Sequence, residues 1–385
     1  MSISIKFFLL FGIIVTSCFI SVYCAASVEV SVENENEVHS NRGGNSSSSN
    51  RGMFARCFGS IWNWMRSSME SVVEDKIISG NPDNVKFYLY PNADNHDLIE
   101  EIVYDDVTSL QKAHFRFEQP WKIIIHGFTN HHISEPVQQI KNAYLTKVEQ
   151  NRLATGGSRD APGYNVVVVD WGMLADPKFS GDAGNLFYNF AVHNVPVVGR
   201  RVGEFVLFLM KNGALQDLDQ VHLIGFSLGS HVSGNAGNTI KEMTGQIIGR
   251  ITGPSFYSGL RQGSRQLSTK DAKFVDIIHT NQGALGIYKQ IGHADFYPNG
   301  GGPIQKPCLS KYGQSQHEIA LVMLNTCSHA KAPFFFSLSI LRQMTACRCG
   351  SILEYETSCA CTEKALLGED CDPSTRGAFY LDINE

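Results

Sequence analysis

The sequence predicts an α/β fold with a mostly parallel central sheet covered by helices on both faces. Two observations carry this. Short runs of Val, Ile and Phe recur with almost no polar residue inside them, as in the four valines at 166–169. Between them lie longer segments whose apolar residues fall at helical spacing. A strand that is apolar on both faces must be buried on both, and parallel strands joined by crossover helices meet that condition. With 385 residues, 43% hydrophobic and 18% charged, the chain can bury a large core.

The elements follow in chain order. Residues 1–26 read as an export signal, with Lys6 as the positive start, FFLLFGIIVTSCFISV as the apolar stretch and VYCAAS as the small-residue exit. An uncleaved anchor is the competing reading, because the run is only slightly shorter than a spanning helix. The polar stretch that follows at once favours cleavage, and no later segment is long and apolar enough to span. The mature chain is therefore expected to be soluble, secreted and extracellular. Residues 27–52 carry almost no large apolar side chains and predict a flexible polar leader, with a glycosylation sequon at Asn45-Ser46-Ser47. Residues 53–385 are expected to form one domain. Its first segment, 53–75, sets Phe54, Phe58, Ile61, Trp62 and Met65 at roughly helical spacing. Packing onto the domain is favoured there over a lipid-surface helix. Strands are expected at 85–90, 121–127, 165–171, 221–227, 245–253 and 273–280, and helices at 135–150, 196–213 and 230–243. In such sheets ligands bind at the carboxyl ends of the strands.

Charge and cysteine content narrow the function. A formal net charge of −5 with scattered Lys and Arg offers no track for phosphates, so no nucleic-acid partner is expected. Cys18 and Cys24 fall in the signal, leaving Cys57, Cys308, Cys327, Cys347, Cys349, Cys359, Cys361 and Cys371. An even count in an exported chain suggests up to four disulfides. The paired C-x-C spacing at 347–361 is tighter than zinc sites use, so disulfides are preferred there.

The chemistry centres on Gly225-Phe226-Ser227-Leu228-Gly229, which follows an apolar strand and precedes a helical pattern. That strand–turn–helix context is the nucleophile elbow of α/β-hydrolases, with Ser227 at the turn. Such a site needs two oxyanion donors. The N–H of Leu228 is one, and the N–H of Phe128, in IIIHGFTNHH after an earlier strand, is the other. The base must be a downstream His: His231, His279, His293, His317 or His329. His231 lies in the elbow helix and His279 inside a strand, whereas His329 follows Cys327, which would pin it on a braced loop.

HGF, VVVVDW, GFSLGSH, ITG, DAKFVDIIHTN, IGHADFYPNGG and CSHAKA, in that order, resemble the pancreatic-lipase family of neutral lipases and phospholipases A1. The resemblance covers roughly residues 82–385. It implies an α/β-hydrolase fold, Ser227 as nucleophile, His329 as base, and Phe128 and Leu228 as oxyanion donors. It also implies a lid closed by a Cys308–Cys327 disulfide, and lipid esters at a lipid–water interface as substrates, with no cofactor. By the same resemblance the chain is expected to lack the C-terminal β-sandwich of the digestive lipases, like insect-type secreted members and venom phospholipases A1.

The sequence departs from the family in three places. The lid, 309–326, and the loop after His279 are short, which slightly favours phospholipid or galactolipid over triglyceride. Asp271 matches one carboxylate of the family's calcium stretch, but Ser268 stands where another is expected, so no metal is expected. Most important, the family reads ITG-Leu-Asp-Pro-Ala after the strand that follows the elbow helix, whereas this chain reads Ile251-Thr252-Gly253-Pro254-Ser255-Phe256. The triad Asp is missing, with Asn281 or Ser255 as neutral substitutes. Glu242, Asp271, Asp276, Asp295 and Glu318 are the carboxylates between Ser227 and His329, and none stands at the expected place. The sequence thus predicts a lipid ester hydrolase with weakened catalysis, the alternative being a lipase-like lipid-binding or storage protein.

Overall fold

The computed structural model describes residues 80–384, apart from 92, 159, 177–183, 255–264 and 313–317. All of these lie in one compact unit, Glu70–Glu385. The export signal, the polar leader, the 53–75 segment with Cys57, His317 and Ser255 fall outside the described residues.

The described strands are β1 (Lys86–Tyr90), β2 (Glu100–Glu101), β3 (Trp121–Ile125), β4 (Asn165–Asp170), β5 (Val221–Gly225), β6 (Ile248–Pro254), β7 (Ala272–Ile278), β8 (Ala294–Pro298), β9 (Thr345–Arg348), β10 (Lys364–Leu366) and β11 (Gly377–Leu381). They form a single sheet in the order β10-β9-β11-β8-β7-β6-β5-β3-β4-β1-β2. The seven strands from β11 to β4 are parallel, and antiparallel strands finish both edges. Every residue of β3 and β5 is buried, as their two-sided apolar sequences require.

The helices are α1 (Val107–Lys112), α2 (Glu135–Ala154), α3 (Gly172–Ala175), α4 (Gly184–Lys211), α5 (Leu228–Thr244), α6 (Lys306–Tyr312), α7 (Glu318–Leu341) and α8 (Ile352–Thr357). One face of the sheet packs against α4 and α5 through Val198, Val202, Phe205, Val232 and Ile240. The other packs against α2 and α7 through Ile140, Tyr144, Phe335 and Phe336. This is the predicted α/β architecture. It also creates a switch point, because the chain leaves β3 toward β4 on one side and leaves β5 toward β6 on the other. The loops after β3 and β5 therefore diverge and open a crevice between them.

Two sequence readings are corrected. The helix expected from 196 begins at 184, with Pro196 inside it. A proline suits a first helical turn, but here the apolar face continues upstream and outweighs the one backbone bond that Pro196 removes. His329, expected on a braced loop, lies inside α7, again with a proline, Pro333, in the helix. Both ends of the lid, 309–326, are likewise helical, and Cys308 of α6 is joined to Cys327 of α7. The two C-x-C pairs cross-link as Cys347–Cys361 and Cys349–Cys359, while Cys371 is buried and outside any disulfide. Among the described residues no helix is long and apolar enough to cross a membrane.

Candidate active site

Ser227 sits where β5 turns into α5, with φ 55° and ψ −120°. A non-glycine residue held there is strained by about 1–3 kcal/mol, which the surrounding packing must overcome. The turn leaves no room for side chains beside it: a Cβ on Gly225 would stand 2.1 Å from the Gly229 carbonyl oxygen. The Gly229 N–H bonds the Phe226 carbonyl at 2.8 Å, and the Ser230 hydroxyl donates to the Gly225 carbonyl. Leu228 is the first residue of α5, so its N–H belongs to the helix start, where backbone donors have no intrahelical acceptor.

The loop after β3 passes directly over this turn. Phe226 N–H bonds the Ile125 carbonyl at 2.9 Å, and a Cβ on Gly127 would lie 2.9 Å from the Ser227 Cβ. Only glycine allows that approach, and it brings the Phe128 backbone beside the nucleophile. The Phe128 ring meets Tyr188 edge-on at 5.2 Å. Across the elbow, the His329 imidazole lies 5.1 Å from the Phe226 ring. Ser227 and His329 are both nearly buried, at 8% exposure each. Burial lowers the His329 pKa to about 4, so the ring is neutral at pH 7, the form a base requires.

Two of the other candidate bases, His279 and His293, have partners elsewhere. His279 Nε2 lies 2.8 Å from Asp295 Oδ1, and His293 Nδ1 accepts the Val275 N–H at 3.0 Å. His231 is buried within α5. Four of the five carboxylates, Glu242, Asp271, Asp276 and Asp295, are similarly committed. Glu242 accepts from Asn238 at 2.8 Å, and Asp276 accepts from Arg250 Nε at 2.9 Å and from the Thr252 hydroxyl at 2.8 Å. Glu318 opens α7. Asn281 donates to the Pro303 carbonyl and, at 3.2 Å, to Asn325 Oδ1, while its own oxygen accepts the Leu285 N–H at 2.8 Å. Asn325 is one helical turn ahead of His329, so Asn281 braces the helix that carries the imidazole.

The stretch that matches the family's calcium region does not fit a metal. The fully buried Asp271 carboxylate receives both terminal nitrogens of Arg265, and it also accepts the Ser268 N–H at 2.9 Å. Arg265 donates in addition to the Gly234 carbonyl at 3.2 Å. A guanidinium therefore fills the carboxylate-and-carbonyl pocket a divalent cation would need.

Sequence reasoning missed the end of β4. Asp170 accepts from His132 Nδ1 and from the Gly172 N–H at 2.8 Å, and it lies 3.5 Å from His126 Nε2. Burial works against its charge, but the neighbouring His126 and His132 rings and the Gly172 N–H outweigh it. They hold the carboxyl below its ordinary range. HGF and VVVVDW stand out as separate motifs in the sequence; only the fold shows that they touch.

Comparison with known proteins gives the family of the chain. The Lipase family profile matches residues 50–373. Human hepatic triacylglycerol lipase is 36% identical over 259 residues, covering 63% of this chain and 47% of that protein. Pancreatic triacylglycerol lipase of Mus musculus is 31% identical over 272 residues, 67% of this chain and 52% of that protein. Inactive pancreatic lipase-related protein 1 of Canis lupus familiaris is 29% identical over 307 residues, 74% of this chain and 57% of that protein. The chain spans about half the length of the curated relatives it matches. With an α/β-hydrolase sheet, an elbow at its switch point and a profile match over most of its length, the chain belongs to the lipase family that includes the pancreatic and hepatic enzymes.

Proposed function

We propose that the protein hydrolyses carboxylic esters of lipids through an acyl-Ser227 intermediate, with turnover weakened by the missing Asp after β6. The observation that carries this reading is the strained Ser227 turn under the Gly127–Phe128 backbone, with a neutral imidazole next to Phe226. In this reading Ser227 Oγ attacks the ester carbonyl while His329 takes its proton. The N–H groups of Phe128 and Leu228 hold the resulting oxyanion. Collapse expels the alcohol, which receives the proton from His329, and water repeats the sequence to free the acid and Ser227. Without an acid to stabilise the imidazolium, turnover falls on the order of 10⁴-fold, about 5 kcal/mol in barrier.

A lipid–water interface suits the surface around the lid. Leu309 on α6 and Leu321, Val322 and Met323 on α7 are 52%, 59%, 65% and 49% exposed, an apolar surface that lipid can cover. The short lid favours a polar head group, hence phospholipid or galactolipid. Three disulfides support an extracellular location. The second reading is a lipid-binding or storage protein with a failed catalytic site. ITGPSF favours it, and one relative bears the name inactive.

Turnover of a soluble short-chain aryl ester by the purified protein decides between the two readings. Hydrolysis above the buffer rate that disappears in Ser227→Ala is expected. Equal rates for the two proteins would leave the binding reading.

A further inference from the structure

An oxyanion donor works only if it is held within about 0.5 Å of the productive position. The Phe128 N–H belongs to a segment that would not hold itself there. The next residue, Thr129, has φ 60°, a conformation L side chains avoid. Its hydroxyl turns back onto the Phe128 carbonyl at 2.7 Å. What restrains the segment is the chain that leaves β4. Trp171 N–H donates to His126 Nε2 at 3.0 Å, and Trp171 Nε1 donates to the His126 carbonyl at 2.8 Å. Thr129 N–H donates to the Ala175 carbonyl at 3.3 Å.

These contacts fix the near side of the loop, and Asp170 fixes the far side. One carboxylate oxygen faces His126 at the loop's entry and accepts the Gly172 N–H; the other accepts from both Nδ1 and, at 3.3 Å, the N–H of His132 at its exit. His132 is held in turn by the tilted Tyr88 ring at 4.4 Å and by Gln138, which donates to its carbonyl at 2.7 Å. Asp170 thus holds the exit of the segment carrying Phe128, while Trp171, its neighbour in the chain, holds the entry.

We infer that Asp170 and His132 form a clamp that positions the Phe128 N–H for the oxyanion, acting as positioning residues rather than catalytic ones. The inference rests on the ester-hydrolase reading above and deepens it. The clamp gives a role to the half-buried carboxylate at the crevice end of β4. It also gives His132 of TNHH a task that the elbow, base and donors leave open.

The test compares an aryl butanoate with its thiono analogue, whose C=S carbon forms a thiolate that gains little from N–H donors. Wild type, Ser227→Ala, Asp170→Asn and His132→Ala are assayed on both esters, and thermal melts confirm that each variant folds. His132 is partly exposed, so His132→Ala keeps the test open if the Asp170 variant fails to fold. The clamp predicts that kcat on the oxo ester falls roughly 10- to 100-fold in both clamp variants, with KM nearly unchanged. It also predicts that the oxo-to-thiono rate ratio drops toward that of uncatalysed hydrolysis. Folded variants whose ratio stays at the wild-type value overturn the clamp, even if their rates fall. A wild type that matches Ser227→Ala on both esters overturns the ester-hydrolase reading, and the clamp with it.

Discussion

The proposed nucleophile and base, Ser227 and His329, differ in how far the sequence alone shows them. The serine is fixed by its immediate neighbours, since Gly225 and Gly229 permit a turn that places Oγ at the crevice. That is why five residues announce it. The imidazole acquires its character from burial, which no local motif encodes. Burial holds its pKa at about 4 against an ordinary 6.5. A base must be unprotonated, so activity is lost only as pH falls through the lowered pKa. We therefore expect kcat/KM of the wild type to hold constant from about pH 8 to about pH 5 and to reach half its plateau near pH 4. An acid limb near 6.5 would show that the imidazole is solvated or faces a negative charge. The pairing of Arg265 with Asp271 is half legible: Ser268 departs from the calcium stretch that the resemblance implies, but only the fold shows the guanidinium on the carboxylate.

Among the elements, β3, β4 and β5 are readable because strands apolar on both faces can only be interior ones. α7 is not. A cysteine followed by small and polar residues suggests a loop, yet Ala332, Phe335 and Phe336 bury against the sheet and carry the helix through His329 and past Pro333. The C-terminal segment depends on an equally non-local arrangement. Lys122 of β3 contacts Glu369 at 2.5 Å and His222 of β5 at 3.2 Å; His222 reaches Thr252 at 2.7 Å, Thr252 reaches Asp276, and Asp276 reaches Arg250. Arg250 closes the circuit on the carbonyls of Gly368 and Glu369, at 2.6 and 2.8 Å, and Tyr144 donates to Glu369 at 2.5 Å. Glu369 is nearly buried, and the Lys122 and Arg250 charges hold its pKa below the ordinary value despite burial. Its removal leaves Lys122 buried without its counter-charge. Glu369→Ala should cost about 3–5 kcal/mol of unfolding free energy, measured by urea titration at pH 7. A loss below about 1 kcal/mol would mean that the ring contributes little.

At the scale of the whole molecule, the sheet order explains why distant motifs form one site. β3 and β5 are neighbours at the switch point, so HGF and GFSLG meet although about a hundred residues separate them. Fold class and elbow are legible in the sequence because each is a repeated or local pattern. The clamp, the salt ring and the helical setting of His329 are not, because they arise only when remote segments pack. The catalytic acid is the reverse case, a deficit that ITGPSF displays by itself. The central claim is that Ser227 remains a working nucleophile despite that deficit. Incubating the purified protein with an alkyl phosphonate probe and locating the adduct by peptide mass spectrometry tests it most directly. We predict one adduct, on Ser227, that is absent in Ser227→Ala and forms more slowly in His329→Ala. An intact protein that binds lipid vesicles yet gains no adduct at Ser227 would contradict the account.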